Sequence, residues 1–465
     1  MNARPLNTVE ISEAAPDTAS GARVARWLFG AAMVIALVDF PAATLLTHRA
    51  PGFLVITALA LGVAGSIADF AIAADALNRP RLGRLLASDG WCAFAVGVLA
   101  LAFYGATISP ATPYNEHVRL AWAMLRGHLW IDAPDYMEHV VVGGHSYILH
   151  PPLSAILMLP ATAIWGTAAS QTAMDVILGA ISLALAWRLM ARIGLETSAK
   201  LWMVAFFGVG TTFWYEATLG NSWDFALAAS VPFTLAALVE VFGEARPWLV
   251  ALFAALAALA RYDLALAWPA YALMVLARGR RWREIGWMVP LFAAAALVYI
   301  AYNEARFGTV NDVALWLWYS QDKYRFQRPG GPFALRDLPL NLYTLLFMAP
   351  VYSDRFPWIH PQFLGQALLL MSPAFVLALR PSFLRPIPAL LLAAILSSGP
   401  SLLVYASGFA QLGPRYYVQI YPFLLALVAL GIGRRADQLT KILIVISIVL
   451  VVFFTWQVRW YGWGG

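Results

Sequence analysis

The chain has 465 residues, of which 61% are hydrophobic and 12% charged, with a net charge of +6. A soluble domain carries about a quarter charged residues, and no single soluble core could bury so many long apolar runs. The positive charge sits at the ends of those runs, where it orients a membrane protein rather than binding nucleic acid. The single cysteine, Cys92, permits neither a disulfide within the chain nor a cysteine metal site.

In chain order, residues 1–22 are polar and lack the apolar stretch of a signal peptide. They read as a disordered cytoplasmic tail ahead of one transmembrane domain over 23–465. A helix needs about 20 apolar residues to cross a bilayer. The runs that meet this need lie near 27–47, 53–77, 91–109, 173–191, 201–216, 223–242, 285–302, 363–379, 386–405, 416–432 and 441–459. The expected fold class is therefore an all-α polytopic membrane protein with about eleven full spans, plus shorter or re-entrant helices. Two weaker apolar regions are 151–166 and 247–277.

Basic residues in short loops mark the cytoplasmic side. They cluster at Arg23/Arg26, Arg79/Arg81/Arg84, Arg188/Arg192/Lys200, Arg278/Arg280/Arg281/Arg283, Arg380/Arg385 and Arg434/Arg435/Lys441. With all six inside, the segments 107–150, 213–222, 303–362 and 406–415 fall outside. Residues 151–191 must then cross an odd number of times. The run 173–191 supplies the crossing, so 151–166, interrupted by Pro160, is expected to enter and leave on the outer side. Irregular backbone at that depth needs protein or a water-filled cavity around it. By the same parity 247–277 goes in and returns, reversing near Arg261-Tyr262-Asp263. An intramembrane charge is costly unless paired or facing a polar cavity, so Arg261 either pairs with Asp263 to close the turn or serves a site.

The expected outer segments hold most of the chemistry. Residues 114–127 place Val118, Ala121, Trp122 and Leu125 at helical spacing, with Gly127 as a stop. This reads as an amphipathic helix on the outer membrane surface. Glu116 at its start either stabilises the helix dipole or acts in a site. Asp132, Asp135, Glu138 and His139 follow within eight residues. Such carboxylates could hold a divalent cation or form a solvated loop. His150 precedes Pro151-Pro152, where it could cap a helix or contact a phosphate. Glu216 and Asp224 sit close to the bilayer, Asp224 as an N-cap or a site residue. Arg306 and Arg415 stand beside aromatics at the outer interface. Arginine there either anchors a helix or grips phosphate in a bidentate fork. No Walker loop, dinucleotide fingerprint or serine-hydrolase elbow is present.

Four segments in order carry a resemblance. They are Asn115-Glu116 opening a helix that ends in Leu125-Arg126-Gly127, residues 143–152 (GGHSYILHPP), residues 302–308 (YNEARFG) and residues 413–417 (GPRYY). Together the chain resembles the GT-C superfold glycosyltransferases. These polytopic enzymes use polyprenyl-phosphate sugars, and they include protein O-mannosyltransferases and lipid A aminoarabinose transferases. The resemblance implies juxtamembrane helices in the first large outer loop. It also implies inverting transfer of a sugar to a lipid, glycan or protein acceptor, in a bacterial inner membrane with the N-terminus cytoplasmic. The catalytic carboxylate falls on Glu116, with Asp224 and the group Asp132, Asp135, Glu138 behind it, and donor phosphate contacts fall on Arg415, His150, Arg306 and Arg261. The chain departs from the pattern at Asn115, where Asp is usual, and at His150, where the aminoarabinose transferases often carry Lys. It also has an extra hairpin ahead of the first outer loop. A phosphate leaving group makes a metal chemically unnecessary. The rival readings are a lipid or solute transporter or flippase, and an O-antigen-type ligase or polymerase.

Overall fold

A computed structural model of the protein describes residues 88–134, 136–321, 331–354, 358–380, 386–405 and 408–463. The expected tail 1–22, the spans 27–47 and 53–77, the clusters Arg23/Arg26 and Arg79/Arg81/Arg84, and Asp135 and Arg385 lie outside them. The described chain is mostly helical and embedded in a membrane by the character of its helices. Six helical stretches are long and apolar enough to cross: Asp89–Ala106, Gln171–Ile193, Ser222–Phe242, Trp282–Phe307, Arg415–Ile432 and Gln438–Arg459.

In chain order the helices used below are α1 (Asp89–Ala106), α2 (Glu116–Met124), α3 (Leu153–Trp165), α4 (Gln171–Ile193), α5 (Thr197–Val209), α6 (Ser222–Phe242), α7 (Pro247–Ala260) and α8 (Trp268–Ala277). They are followed by α9 (Val289–Phe307), α10 (Ala314–Gln321), α11 (Leu338–Leu346), α12 (Ile387–Leu403), α13 (Tyr421–Ile432) and α14 (Gln438–Tyr461). Their ends follow local chemistry. Ser170 accepts from the Ala173 amide at 3.1 Å to start α4, and Asp437 accepts from the Thr440 amide at 2.8 Å to start α14. Gly194, left-handed at φ 99°, closes α4.

Contacts sort the helix ends into two groups. At one end Glu196 meets Arg435 at 2.8 Å, Arg380 meets Asp437 at 3.0 Å and Lys200 meets Asp89 at 2.6 Å. Arg280 donates to the carbonyls of Ala245 and Glu244 there. The basic clusters assigned to one side by charge thus gather together. At the other end Gln171 donates to the Gly220 carbonyl at 2.6 Å, Trp214 to Thr107 at 2.9 Å, Arg459 to Thr218 at 2.7 Å and Arg306 to the Ile148 carbonyl at 2.8 Å.

The two short regions are α3 and the α7–α8 pair. Helix α3 leaves beside His150, whose carbonyl Tyr302 reaches at 3.4 Å. It finishes at Gly166, beside the Trp122 ring of α2. Helices α7 and α8 form the expected hairpin. Trp268 donates back to the Ala254 carbonyl at 3.3 Å, and Arg278 returns to the Phe242 carbonyl at 3.3 Å.

Three expectations need correction. The run 201–216 is not one helix: α5 ends at Val209, and a short helix Phe213–Glu216 follows the bend at 210–212. The run 363–379 breaks into Leu368–Met371 and a 3-10 stretch Pro373–Leu379, because Pro373 cannot continue the first helix. The all-α expectation holds for a mostly helical chain that also carries a few short strands. His139–Val142 (β1) and His145–Ile148 (β2) form an antiparallel hairpin. Its turn is Gly143-Gly144, with φ of 58° and 80°, a two-residue geometry that favours glycine. Helix α2 does not lie on a surface with one face exposed, since Glu116, His117, Val118, Leu120, Ala121 and Ala123 are all buried. The segment 303–362 includes two helices, α10 and α11.

Packing of α4 against α1 depends on Gly179, where an added Cβ would lie 2.8 Å from the Tyr104 ring and 3.0 Å from the Ala217 Cβ. The ring cannot swing aside, because its hydroxyl donates to the Gly208 carbonyl at 2.8 Å. Gly179→Val is expected to destabilise the protein by about 1–3 kcal/mol, read as a lower thermal midpoint of the detergent-purified protein. An unchanged midpoint would show that the helices separate freely here.

Candidate active site

The site grows from the junction of α2 and α6. Glu116, the first residue of α2, donates its amide to Ser222 Oγ at 2.9 Å, and the Ser222 hydroxyl contacts Glu116 Oε2. The amide of Glu138 reaches Oε1 at 3.3 Å. Glu116 is 1% exposed. Burial pushes its carboxyl above the usual range, opposed by these hydrogen bonds. Arg119 does not pair with it: its guanidinium donates to Asn115 Oδ1 at 3.0 Å and to the Asp132 carbonyl at 2.7 Å.

His117 lies beside it, with Nε2 3.0 Å from the Ser222 carbonyl. That contact places the proton on Nε2 and leaves Nδ1 as a buried acceptor with no partner. Burial holds this imidazole neutral, with its pKa lowered to about 4. The His150 ring sits 5.1 Å from it, centroid to centroid. Burial, then the positive surroundings that include Arg261, Arg415 and Arg306, keep His150 well below its ordinary range. His150 can therefore offer a neutral donor and acceptor, but not a cation, to a ligand.

Asp224 lies in the first turn of α6 and is not its N-cap, which is Asn221. Asn221 donates to Asp224 Oδ2 at 3.0 Å. The other oxygen, Oδ1, faces Arg415 at 3.9 Å. Arg415 is nearly buried, and its Nε has no hydrogen-bond partner. Its guanidinium also lies 5.4 Å from the Trp223 ring and 5.5 Å from the Tyr416 ring. The Glu138 and Glu216 charges reach it as well. Glu216 is 1% exposed, and neither of its carboxylate oxygens meets a donor. A buried guanidinium with an unused N–H is arranged for an anion.

Arg261 pairs with Asp263 at 3.2 Å and donates to Gln419 Oε1 at 3.0 Å, and Gln419 donates on to Asp263 at 2.5 Å. The pair closes the α7–α8 turn as expected and joins it to the segment that carries Arg415.

No protein-family model and no curated protein matches the chain.

Geometry thus brings together Glu116, Asp224, Arg415, Arg261 and His150, with Glu138 joining through its amide and its charge. Arg306 is committed elsewhere. Its three nitrogens donate to the Ile148 carbonyl at 2.8 Å, Asn303 Oδ1 at 2.7 Å and the Tyr302 carbonyl at 3.4 Å. It fastens β2 to α9. Asp132 is exposed, and its carbonyl accepts from Arg119 at 2.7 Å. Among the described residues no group of three or more His, Cys, Asp or Glu is placed to hold a metal ion, and Asp135 lies outside those residues. Ser222, His117, Asp175 and Gln419 escaped sequence reading. Each acts through a partner at least 45 residues away, as with Asp175 Oδ2 accepting from the Gly220 amide at 3.1 Å, and no local spacing announces such a pairing.

Proposed function

We propose that the protein is a membrane glycosyltransferase. It moves a sugar from a polyprenyl-phosphate donor to an acceptor hydroxyl, in the manner of the GT-C enzymes its motifs resemble. The observation that supports the reading is a buried, incompletely bonded Arg415 facing the Asp224 carboxylate at the start of α6, where Ser222 also holds the buried Glu116. In this reading that end is extracytoplasmic, the N-terminus is cytoplasmic, and the full chain crosses a bacterial inner membrane about eleven times.

The chemistry assigns each group a task. The Glu116 carboxylate takes the proton of the acceptor hydroxyl. The freed oxygen bonds to the anomeric carbon as the bond from that carbon to the phosphate oxygen breaks. The departing polyprenyl phosphate carries the electron pair and lies against Arg415 and Arg261. Attack opposite the leaving group inverts the anomeric centre. A transporter needs a polar path to both sides, and the unpaired charges described here gather at one end.

The direct experiment incubates the detergent-purified protein with a panel of radiolabelled polyprenyl-phosphate sugars. Binding or turnover of one of them supports the reading, and indifference to all of them refutes it. A topology test runs beside it in a Cys92-free variant. Single cysteines at 145 and 310 should be labelled from the extracytoplasmic face only. A pH dependence follows from Glu116. A base works ionised, so transfer should fall as pH drops through its raised pKa. The acid limb should sit above the ordinary value of about 4.3. A limb at or below that value would remove Glu116 from the role.

A further inference from the structure

On the solvent side of α2 lies an open cavity of about 480 Å³, lined by Arg119, Trp130, Asp132, His145 and Ser146 among others. Its walls are built rather than incidental. The Ile131 amide donates to the Ser146 carbonyl at 2.8 Å, closing the 130–134 stretch onto β2. Arg119 is held on both sides by Asn115 and the Asp132 carbonyl. One wall carries Trp130 and His145, 4.3 Å apart at 29°, with His128 stacked against Trp130 at 4.1 Å and 17° outside the lining.

We infer that this cavity binds a saccharide and serves as the acceptor subsite. The lining sets a guanidinium donor, an exposed carboxylate acceptor and a hydroxyl side by side, against an aromatic wall. Sugar hydroxyls both donate and accept, so a ligand dense in them satisfies adjacent Asp132 and Arg119. The exposed His145 ring, held by Trp130 stacked behind it, meets the apolar C–H face of a pyranose. The volume falls within the ~300–1,000 Å³ of small-molecule sites. A lipid tail finds no apolar hollow here. An extended peptide finds no free strand edge, because β1 covers one side of β2 and Ile131 the other. Arg119 stands three residues after Glu116 on the same helix, which ties the cavity to the helix that carries the proposed base. The acceptor role rests on the transferase reading; saccharide binding does not.

The test is saturation-transfer NMR on the full-length protein in nanodiscs, with a panel of soluble neutral and acidic oligosaccharides of two to four rings. At least one should bind, and Asp132→Asn and Trp130→Ala should each weaken it at least tenfold. Asp132→Asn alters an exposed side chain without changing its shape, so it keeps the test valid if Trp130→Ala misfolds. Binding of polyprenyl-phosphate sugar by both folded variants should match the parent. No saccharide bound, saccharide binding indifferent to both substitutions, or binding of extended peptides in their place would overturn the proposal. Saccharide binding by a protein that ignores every polyprenyl-phosphate sugar would instead refute the transferase reading and leave the cavity assignment standing.

Discussion

Glu116→Gln should lower sugar transfer by about 10²–10⁴-fold, the usual contribution of a positioned general base. The substitution preserves shape: the one Gln oxygen can accept from the Glu138 amide, and the Ser222 hydroxyl facing the Gln NH2 can donate to the Tyr114 carbonyl instead. It also removes a carboxylate from a site only 1% exposed, so the fold should not suffer. The measurement is single-turnover transfer with donor binding read in parallel. Loss of transfer with donor binding intact places the proton acceptor at Glu116. Near-full turnover would shift the role to Asp224, the carboxylate that faces Arg415.

Arg415→Ala should act on binding and on stability together. The guanidinium is the only cation in contact with Asp224 among the described residues, and its charge also balances Glu216. Removing one partner of a buried pair costs about 3–5 kcal/mol, so a lower thermal midpoint is expected. Donor affinity should fall at least tenfold, since the unused Nε–H is then gone. Arg415→Lys restores the charge without the planar fork and should recover stability better than affinity. If Arg415→Ala bound polyprenyl phosphate as the parent does, the anion would have to sit elsewhere, with Arg261 the next cation to test.

Long helices were legible because a crossing helix writes itself as a long apolar run. Regions 173–191 and 223–242 became α4 and α6 almost residue for residue. The reversal at Arg261 was legible too, because basic loops at both ends of 247–277 forced it. The 139–148 hairpin was missed although Gly143-Gly144 between Val140-Val141-Val142 and Tyr147-Ile148 is a strong two-residue turn signal. Arg306 looked like a phosphate ligand from its position beside aromatics, and only the fold reveals the carbonyl of Ile148 as its partner.

Helix α9 belongs to the stretch Trp282–Phe307, of which only 17% is buried in its apolar window, whereas the corresponding share of α6 is 83%. Lipid therefore faces far more of α9 than of α6. A bilayer thinner or thicker than its apolar length is met by tilting. At the end of that helix Arg306 holds β2, and Tyr302 reaches the His150 carbonyl. A change of tilt is thus carried to the strand that leads into His150. Hydrocarbon thickness becomes a control on the geometry of the imidazole beside Arg415, so reconstitution in short- and long-chain lipids should give different rates from the same purified protein.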